Sequence, residues 1–148
     1  RAASIAIQLY TLHNVFYAAG SYPLGALADR FGKRGLLVGA YGLAALMNGL
    51  LIVAPPSVLL LAAIFIMGGT VYASQQSLER AIAADLAPEE VRSTGFGALA
   101  AVNGIGDFVS SLAVGALWTV FTPEIGFAYS LVLSLAGAVA ISSALRSR

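Results

Sequence analysis

An all-α, polytopic membrane bundle of five helices is the fold this sequence predicts, and three observations predict it. The first is composition. Of 148 residues, 59% are hydrophobic and only 10% are charged, whereas soluble domains carry about 25% charged residues. So few polar groups cannot cover a water-facing surface. The second is segmentation. Long apolar runs occupy 5–28, 36–53, 58–78, 95–121 and 125–145, with Asp107 in the fourth their single charged side chain, and a hydrocarbon layer of about 30 Å takes roughly 20 helical residues. The third is pattern. No run alternates polar and apolar residues as the strands of a membrane barrel do, so helices must satisfy the backbone within lipid. A soluble bundle would need charged outer faces that these runs lack.

The first run, 5–28, places Tyr10, His13, Asn14 and Tyr17 at i, i+3, i+4 and i+7, on one helical face. Polar groups in lipid are costly and turn toward a cavity or a protein partner. Two readings stay open: the wall of an aqueous pathway, with His13 as a substrate contact or proton-responsive group, or an interhelical hydrogen-bonded cluster. The run is not expected to be a signal peptide. It has no basic leader, it carries His13 and Asn14 inside, and four more spans follow.

The second run, 36–53, is marked by Gly35, Gly39, Gly42, Ala45 and Gly49. Such a stripe predicts close helix approach in lipid. The third, 58–78, ends on a shared face of Tyr72, Gln75, Gln76 and Glu79, with Glu79 most simply placed at headgroup level. The fourth, 95–121, holds Asn103 and Asp107 four apart, followed by Ser110 and Ser111. Asp107 lies about 12 residues into that run, roughly 18 Å deep. A bare carboxylate there must face water, pair with a cation or hold a proton; substrate or proton binding and a structural hydrogen bond both satisfy that demand. The same run carries the small pairs Gly106/Ser110 and Ser111/Gly115. The fifth, 125–145, repeats Ser130, Ser134, Ala138 and Ser142 every four residues. Runs two and five lack internal charges and read as supporting helices, which leaves one, three and four to line a pathway.

Charge sets the topology. Asp29, Arg30, Lys33 and Arg34 follow the first run. Glu79, Arg80, Asp85, Glu89, Glu90 and Arg92 follow the third, and Arg146 and Arg148 follow the fifth. If all five runs span, these regions share one side and hold seven of the eight Lys and Arg residues. That asymmetry predicts a cytoplasmic C-terminus; Arg1 falls on the other side. Pro55, Pro56, Pro88 and Pro123 fall between runs, where a missing N–H is harmless. Residues 87–92 are expected to form a brief interfacial helix. The whole of 1–148 reads as one transmembrane unit.

Composition also excludes several functions. The net charge is +1 and the basic residues form no stripe, so nucleic acid is not expected as a partner. There is no Cys, hence no disulfide or thiolate chemistry. One His, without HExxH or a Ser–His–Asp spacing, gives no catalytic or metal constellation. A self-associating channel and a helix-packing assembly module remain as alternatives to a transporter.

The segment Gly25-Ala26-Leu27-Ala28-Asp29-Arg30-Phe31-Gly32-Lys33-Arg34 resembles the signature loop of the major facilitator superfamily. Asp85-Leu86-Ala87-Pro88-Glu89-Glu90-Val91-Arg92-Ser93-Thr94-Gly95-Phe96-Gly97 is similar to the start of that family's eleventh helix. Asn103-Gly104-Ile105-Gly106 and Gly115-Ala116-Leu117-Trp118 share its C-terminal texture. The resemblance covers essentially the whole chain. It implies helices eight to twelve of a twelve-helix transporter, the alternative register being two to six. It also implies seven preceding helices as partners, a small-molecule substrate moved by alternating access between two halves, and a lipid bilayer, with a bacterial inner (plasma) membrane as the expected location. No cofactor is implied; proton coupling is common in the family, with His13 and Asp107 as candidates here. Gly25, Asp29, Arg30, Gly32, Lys33 and Arg34 would form a cytoplasmic latch. Gly25 would allow close helix approach, and Asp29 would accept hydrogen bonds at a neighbouring helix N-terminus. The basic residues would meet anionic lipid or only fix topology. Neither residues nor resemblance name the substrate or the transport direction.

Overall fold

A computed structural model describes residues 2–55 and 57–146, with side chains for 3–55 and 57–144. Expectations placed on Arg1, Pro56 and Arg148, and on the Arg146 side chain, lie outside the described residues. The chain folds as α1 (Ala2–Phe31), α2 (Lys33–Val53), α3 (Val58–Leu86), a 3₁₀ turn (Glu89–Val91), α4 (Arg92–Val120) and α5 (Pro123–Arg146). The architecture is all-α, a five-helix bundle, and the described residues contain no strand.

The helices overrun the apolar runs, because charged side chains are tolerated once a helix leaves the hydrocarbon. α3 continues past Leu78 through Glu79, Arg80 and Asp85. The connector expected after the first run shrinks to one residue, Gly32, with φ at +85°, a conformation in which an L side chain is strained. Asp29 and Arg30 therefore close α1, and Lys33 and Arg34 open α2. Arg30 suits the negative end of the α1 dipole. Ser57 caps α3 by accepting a hydrogen bond from Leu60 N–H at 3.1 Å. The brief helix expected over 87–92 is the 3₁₀ turn, which Pro88 precedes and which runs straight into α4. Pro123 opens α5, where its missing N–H leaves no bond unmade.

Four of the helices are long and apolar enough to cross a membrane. Their spans are 33–53, 58–86, 89–120 and 123–144, with mean hydropathy 2.1, 1.8, 1.4 and 1.9. The fifth, α1, has 30 residues, hence a length of about 45 Å, but not the apolarity. Gln8, Thr11, His13, Asn14, Ser21 and its terminal Asp29 and Arg30 lower it. Its Pro23 removes one internal hydrogen bond.

α3 is the hub, meeting α1, α2 and α4; α2 lies between α3 and α5, and α5 reaches α4. The buried side chains belong mostly to α2 (Leu37, Ala40, Ala44, Ala45, Asn48) and α3 (Ile64, Val71, Ala73, Ser74, Leu78). At one pole, Ala28, Leu37 and Leu78 form a buried cluster, with Leu36, Tyr41, Ile82 and Ile141 packed on it. The cluster ties the end of α1, the start of α2 and the ends of α3 and α5 together. The charged connectors therefore gather at that pole, as the alternation of spans requires.

Small residues set the crossings, though not all of those expected. A Cβ on Gly69 would strike the His13 carbonyl oxygen and lie 3.1 Å from the Tyr17 nitrogen, so the α1 and α3 backbones touch. Gly20 faces Ala73 across the same crossing. A Cβ on Gly137 would lie 2.7 Å from the Tyr41 ring, and one on Gly126 would strike the Trp118 indole. The half-buried stripe of Ser130, Ser134, Ala138 and Ser142 lies on the α5 face that Gly126, Gly137 and Ile141 share. Elsewhere the expectation fails. At Gly35, Gly39, Gly42, Gly49, Gly106, Gly115 and also Gly25, an added Cβ would meet nothing within 4 Å. α2 packs through Ala45, the one buried member of that stripe, and through Ala40 and Ala44 on the adjoining face. Helical period shows which residues share a face, and only the crossing shows which face is used.

Candidate functional site

The cleft between α3 and α4 exists because α4 has no buried residue and meets α3 only in part. Three adjoining cavities follow it. The one nearest the charged pole, about 420 Å³, is lined by Gln76, Glu79, Arg80, Phe96, Asn103 and Asp107. The middle one, about 340 Å³, is lined by Tyr41, Tyr72, Gln75, Gln76, Glu79, Asn103 and Asp107. The third, about 630 Å³, holds Tyr72, Asp107, Ser110, Ser111 and Trp118. Asp107 lines all three.

The cleft is clasped once. Asn103 Nδ2 donates to Glu79 Oε2 at 2.8 Å. Tyr41 of α2 lines the same cavity as Glu79, its ring held against Gly137 of α5. Glu79 of α3 is thus bonded across the cleft to α4 and shares a cavity with Tyr41 of α2. Tyr41 carries no sequence signal: it is an isolated tyrosine in an apolar helix, and only the α2–α3 packing turns it to the cleft. Asp107 lies 15 residues after the start of α4 at Arg92, about 22 Å along it. It has neither hydrogen-bond nor ion-pair partner among the described residues. Its carboxylate faces the open cleft.

The α1 residues form a second, aromatic group. His13 stacks on Tyr10 (centroids 6.3 Å), meets Phe65 edge-on (6.5 Å) and lies 6.4 Å from Tyr72. Tyr17 meets Tyr72 at 5.1 Å. His13 sits beside Gly68, where a Cβ would come within 3.3 Å of its Nδ1, so glycine makes room for the imidazole. Asn14 is exposed and donates back to the Tyr10 carbonyl at 2.8 Å, its own helix absorbing the bond. Tyr72 is the one side chain common to both groups: one side contacts His13 and Tyr17, the other lines the cleft. Tyr10, His13, Asn14 and Tyr17 line none of the three cavities. Within this chain the polar faces of α1 and α4 are therefore separate, joined through α3.

At the charged pole, Lys33 donates to Asp85 Oδ2 at 2.7 Å. This pair joins the start of α2 to the end of α3 and offsets the unfavourable placing of Lys33 and Arg34 at a helix N-terminus. Gly32, Lys33, Arg34, Ile82 and Asp85 bound a further cavity of about 600 Å³. Asp29 and Arg30 are exposed. The close approach expected at Gly25 does not occur within the chain, since nothing lies within 4 Å of its Cβ position. No group of three or more His, Cys, Asp or Glu residues among those described could hold a metal ion.

Helices long and apolar enough to cross a membrane define a multi-pass membrane protein. The family can be stated: residues 2–148 match the Major Facilitator Superfamily, and the chain belongs to it. It is 36% identical over 134 residues to an uncharacterized MFS-type transporter of Methanocaldococcus jannaschii, a match covering 88% of this chain and 32% of that protein. The chain thus spans about a third of the length of the curated relative it matches. No solved structure matches it.

Proposed function

We propose that this chain supplies helices eight to twelve of a secondary transporter that moves a small solute across a bacterial plasma membrane by alternating access. α1 is the fifth span, its exposed Tyr10 and Asn14 turned from lipid toward helices of the other half, and the C-terminus is cytoplasmic. The α3/α4 cleft, with Tyr72, Gln75, Gln76, Asn103 and Asp107, forms part of the substrate path. The observation that carries this reading is Asp107, an unpaired carboxylate at mid-helix lining three adjoining cavities. Such a group is costly in lipid and suited to an aqueous path that binds a solute or a proton. His13, packed behind Tyr72, is the second candidate for proton coupling. The loop of Gly25, Asp29, Arg30, Gly32, Lys33 and Arg34 acts as the cytoplasmic latch against the other half.

The test is made on the complete transporter. Solutes are screened for thermal stabilisation of the purified protein, and those that stabilise it are followed by counterflow in proteoliposomes. Asp107→Asn should abolish or greatly slow transport and flatten its pH profile, with His13→Gln altering the profile more mildly. Unchanged rates and profiles in both variants would refute the assignment.

A further inference from the structure

We propose that the α3/α4 cleft takes an organic cation, with Asp107 as the counter-charge and Tyr72 and Trp118 as the aromatic faces. The proposal rests on the reading that this cleft lines the substrate path, and narrows it to a chemical class.

The charges come first. The cavities are lined by two carboxylates, Glu79 and Asp107, and one cation, Arg80, which appears only in the cavity nearest the charged pole. Among the described residues neither carboxylate lies within ion-pair distance of a Lys or Arg, the one pair being Lys33–Asp85. Glu79 already accepts from Asn103, which leaves Asp107 as the free acceptor. The titratable group behind Tyr72 is His13, which lines none of these cavities. An anionic solute would meet two uncompensated carboxylates at low dielectric; a cation would meet its counter-charge there.

The rings decide between kinds of cation. In the third cavity Asp107 is accompanied by Tyr72 and Trp118, which keep 43% and 46% of their surface exposed. Both rings are held in place: Tyr72 by the Tyr17 ring at 5.1 Å, Trp118 by the Phe127 ring at 5.4 Å and by Gly126. Fixed aromatic faces beside a carboxylate suit a weakly hydrated cation such as a quaternary or delocalised one. A hard metal cation would require six or more oxygen ligands, more than one carboxylate and two serine hydroxyls provide.

The experiment measures equilibrium binding of tetraphenylphosphonium and of tetraphenylborate, matched in size and opposite in charge, to the complete transporter in lipid nanodiscs. Saturable tetraphenylphosphonium binding with none for tetraphenylborate is expected. Asp107→Asn should weaken tetraphenylphosphonium binding roughly tenfold to a hundredfold, while Asp107→Glu keeps most of it. Tyr72→Leu should weaken it by roughly threefold to tenfold, and Tyr72→Phe should not; this pair decides the matter if Asp107→Asn does not fold. Equal binding in Asp107→Asn and the parent, or preference for the anion, overturns the proposal. If a neutral or anionic solute binds instead, and Tyr72→Leu or Asn103→Leu weakens it, the cation is wrong and the cleft remains the path. If no solute responds to these variants, both readings fall.

Discussion

The crossing of α1 and α3 at Gly69 makes the sharpest prediction about stability. Gly69→Ala adds one methyl group, and the atoms it meets are backbone: the His13 carbonyl, with its carbon at 3.2 Å, and the Tyr17 nitrogen at 3.1 Å. Ordinary contacts begin near 3.4 Å. No side chain can rotate away, so α1 and α3 must separate along the line that also seats His13 over Gly68 and Gly20 on Ala73. Overpacking of this kind costs ~1–3 kcal/mol. Replacing Gly by Ala within a helix returns up to ~1 kcal/mol, so the net loss is about 0–2 kcal/mol against the parent and ~1–3 kcal/mol against a Gly→Ala change without the clash. Gly39→Ala supplies the control, because its Cβ would meet nothing within 4 Å and only the helix-propensity gain applies. The assay is thermal unfolding of the complete transporter in detergent, followed by size-exclusion recovery. Gly69→Ala should melt below Gly39→Ala, and Gly39→Ala at or above the parent. A Gly69→Ala protein as stable as Gly39→Ala would refute the close crossing and the placement of His13 that depends on it.

Three further outcomes follow from the same geometry. Gly32→Ala and Gly32→Asn should each destabilise by ~1–3 kcal/mol, because φ +85° with ψ 129° lies outside the left-handed helical region that Asn tolerates and is open at low cost only to glycine; equal melting of all three proteins would show that the α1–α2 turn is built differently. Breaking the Lys33–Asp85 pair by Asp85→Asn should cost no more than ~1 kcal/mol and less at high salt, since both side chains are partly exposed, at 29% and 60%; a loss that persists in high salt would show a buried pair. Glu79→Gln and Asn103→Leu should be non-additive, with a coupling of ~1 kcal/mol in a double-mutant cycle read by thermal melting. Strict additivity would mean that the 2.8 Å clasp across the cleft contributes nothing.

How much of the site was legible in the sequence differs by helix. The shared faces of Tyr72, Gln75, Gln76 and Glu79, and of Asn103 and Asp107, follow from helical period alone, and these faces line one cleft. The α1 face was equally legible as a face, but its neighbours were not. His13 and Tyr17 turn to the rings of Phe65 and Tyr72 on α3 while Tyr10 stacks on His13, and nothing in their spacing says so. The bond of Glu79 to Asn103 was not legible, because it joins α3, which continues through Leu86, to a separate helix. Tyr41 and Trp118 gave no pattern of their own; Gly137 and Gly126 on another helix decide where their rings lie.

The sequence by itself determined the class of fold, the number of helices and their approximate limits, because hydrophobic length and helical period are local properties that survive without neighbours. It also determined where charge collects along the chain. Tertiary structure alone decided which glycines are crossings and which face open space, that α3 is the hub, and that among the described residues Asp107 is unpaired while Glu79 is bonded to Asn103 across the cleft. Those are properties of contact between segments far apart in the chain, and they follow from the angle and height at which helices meet.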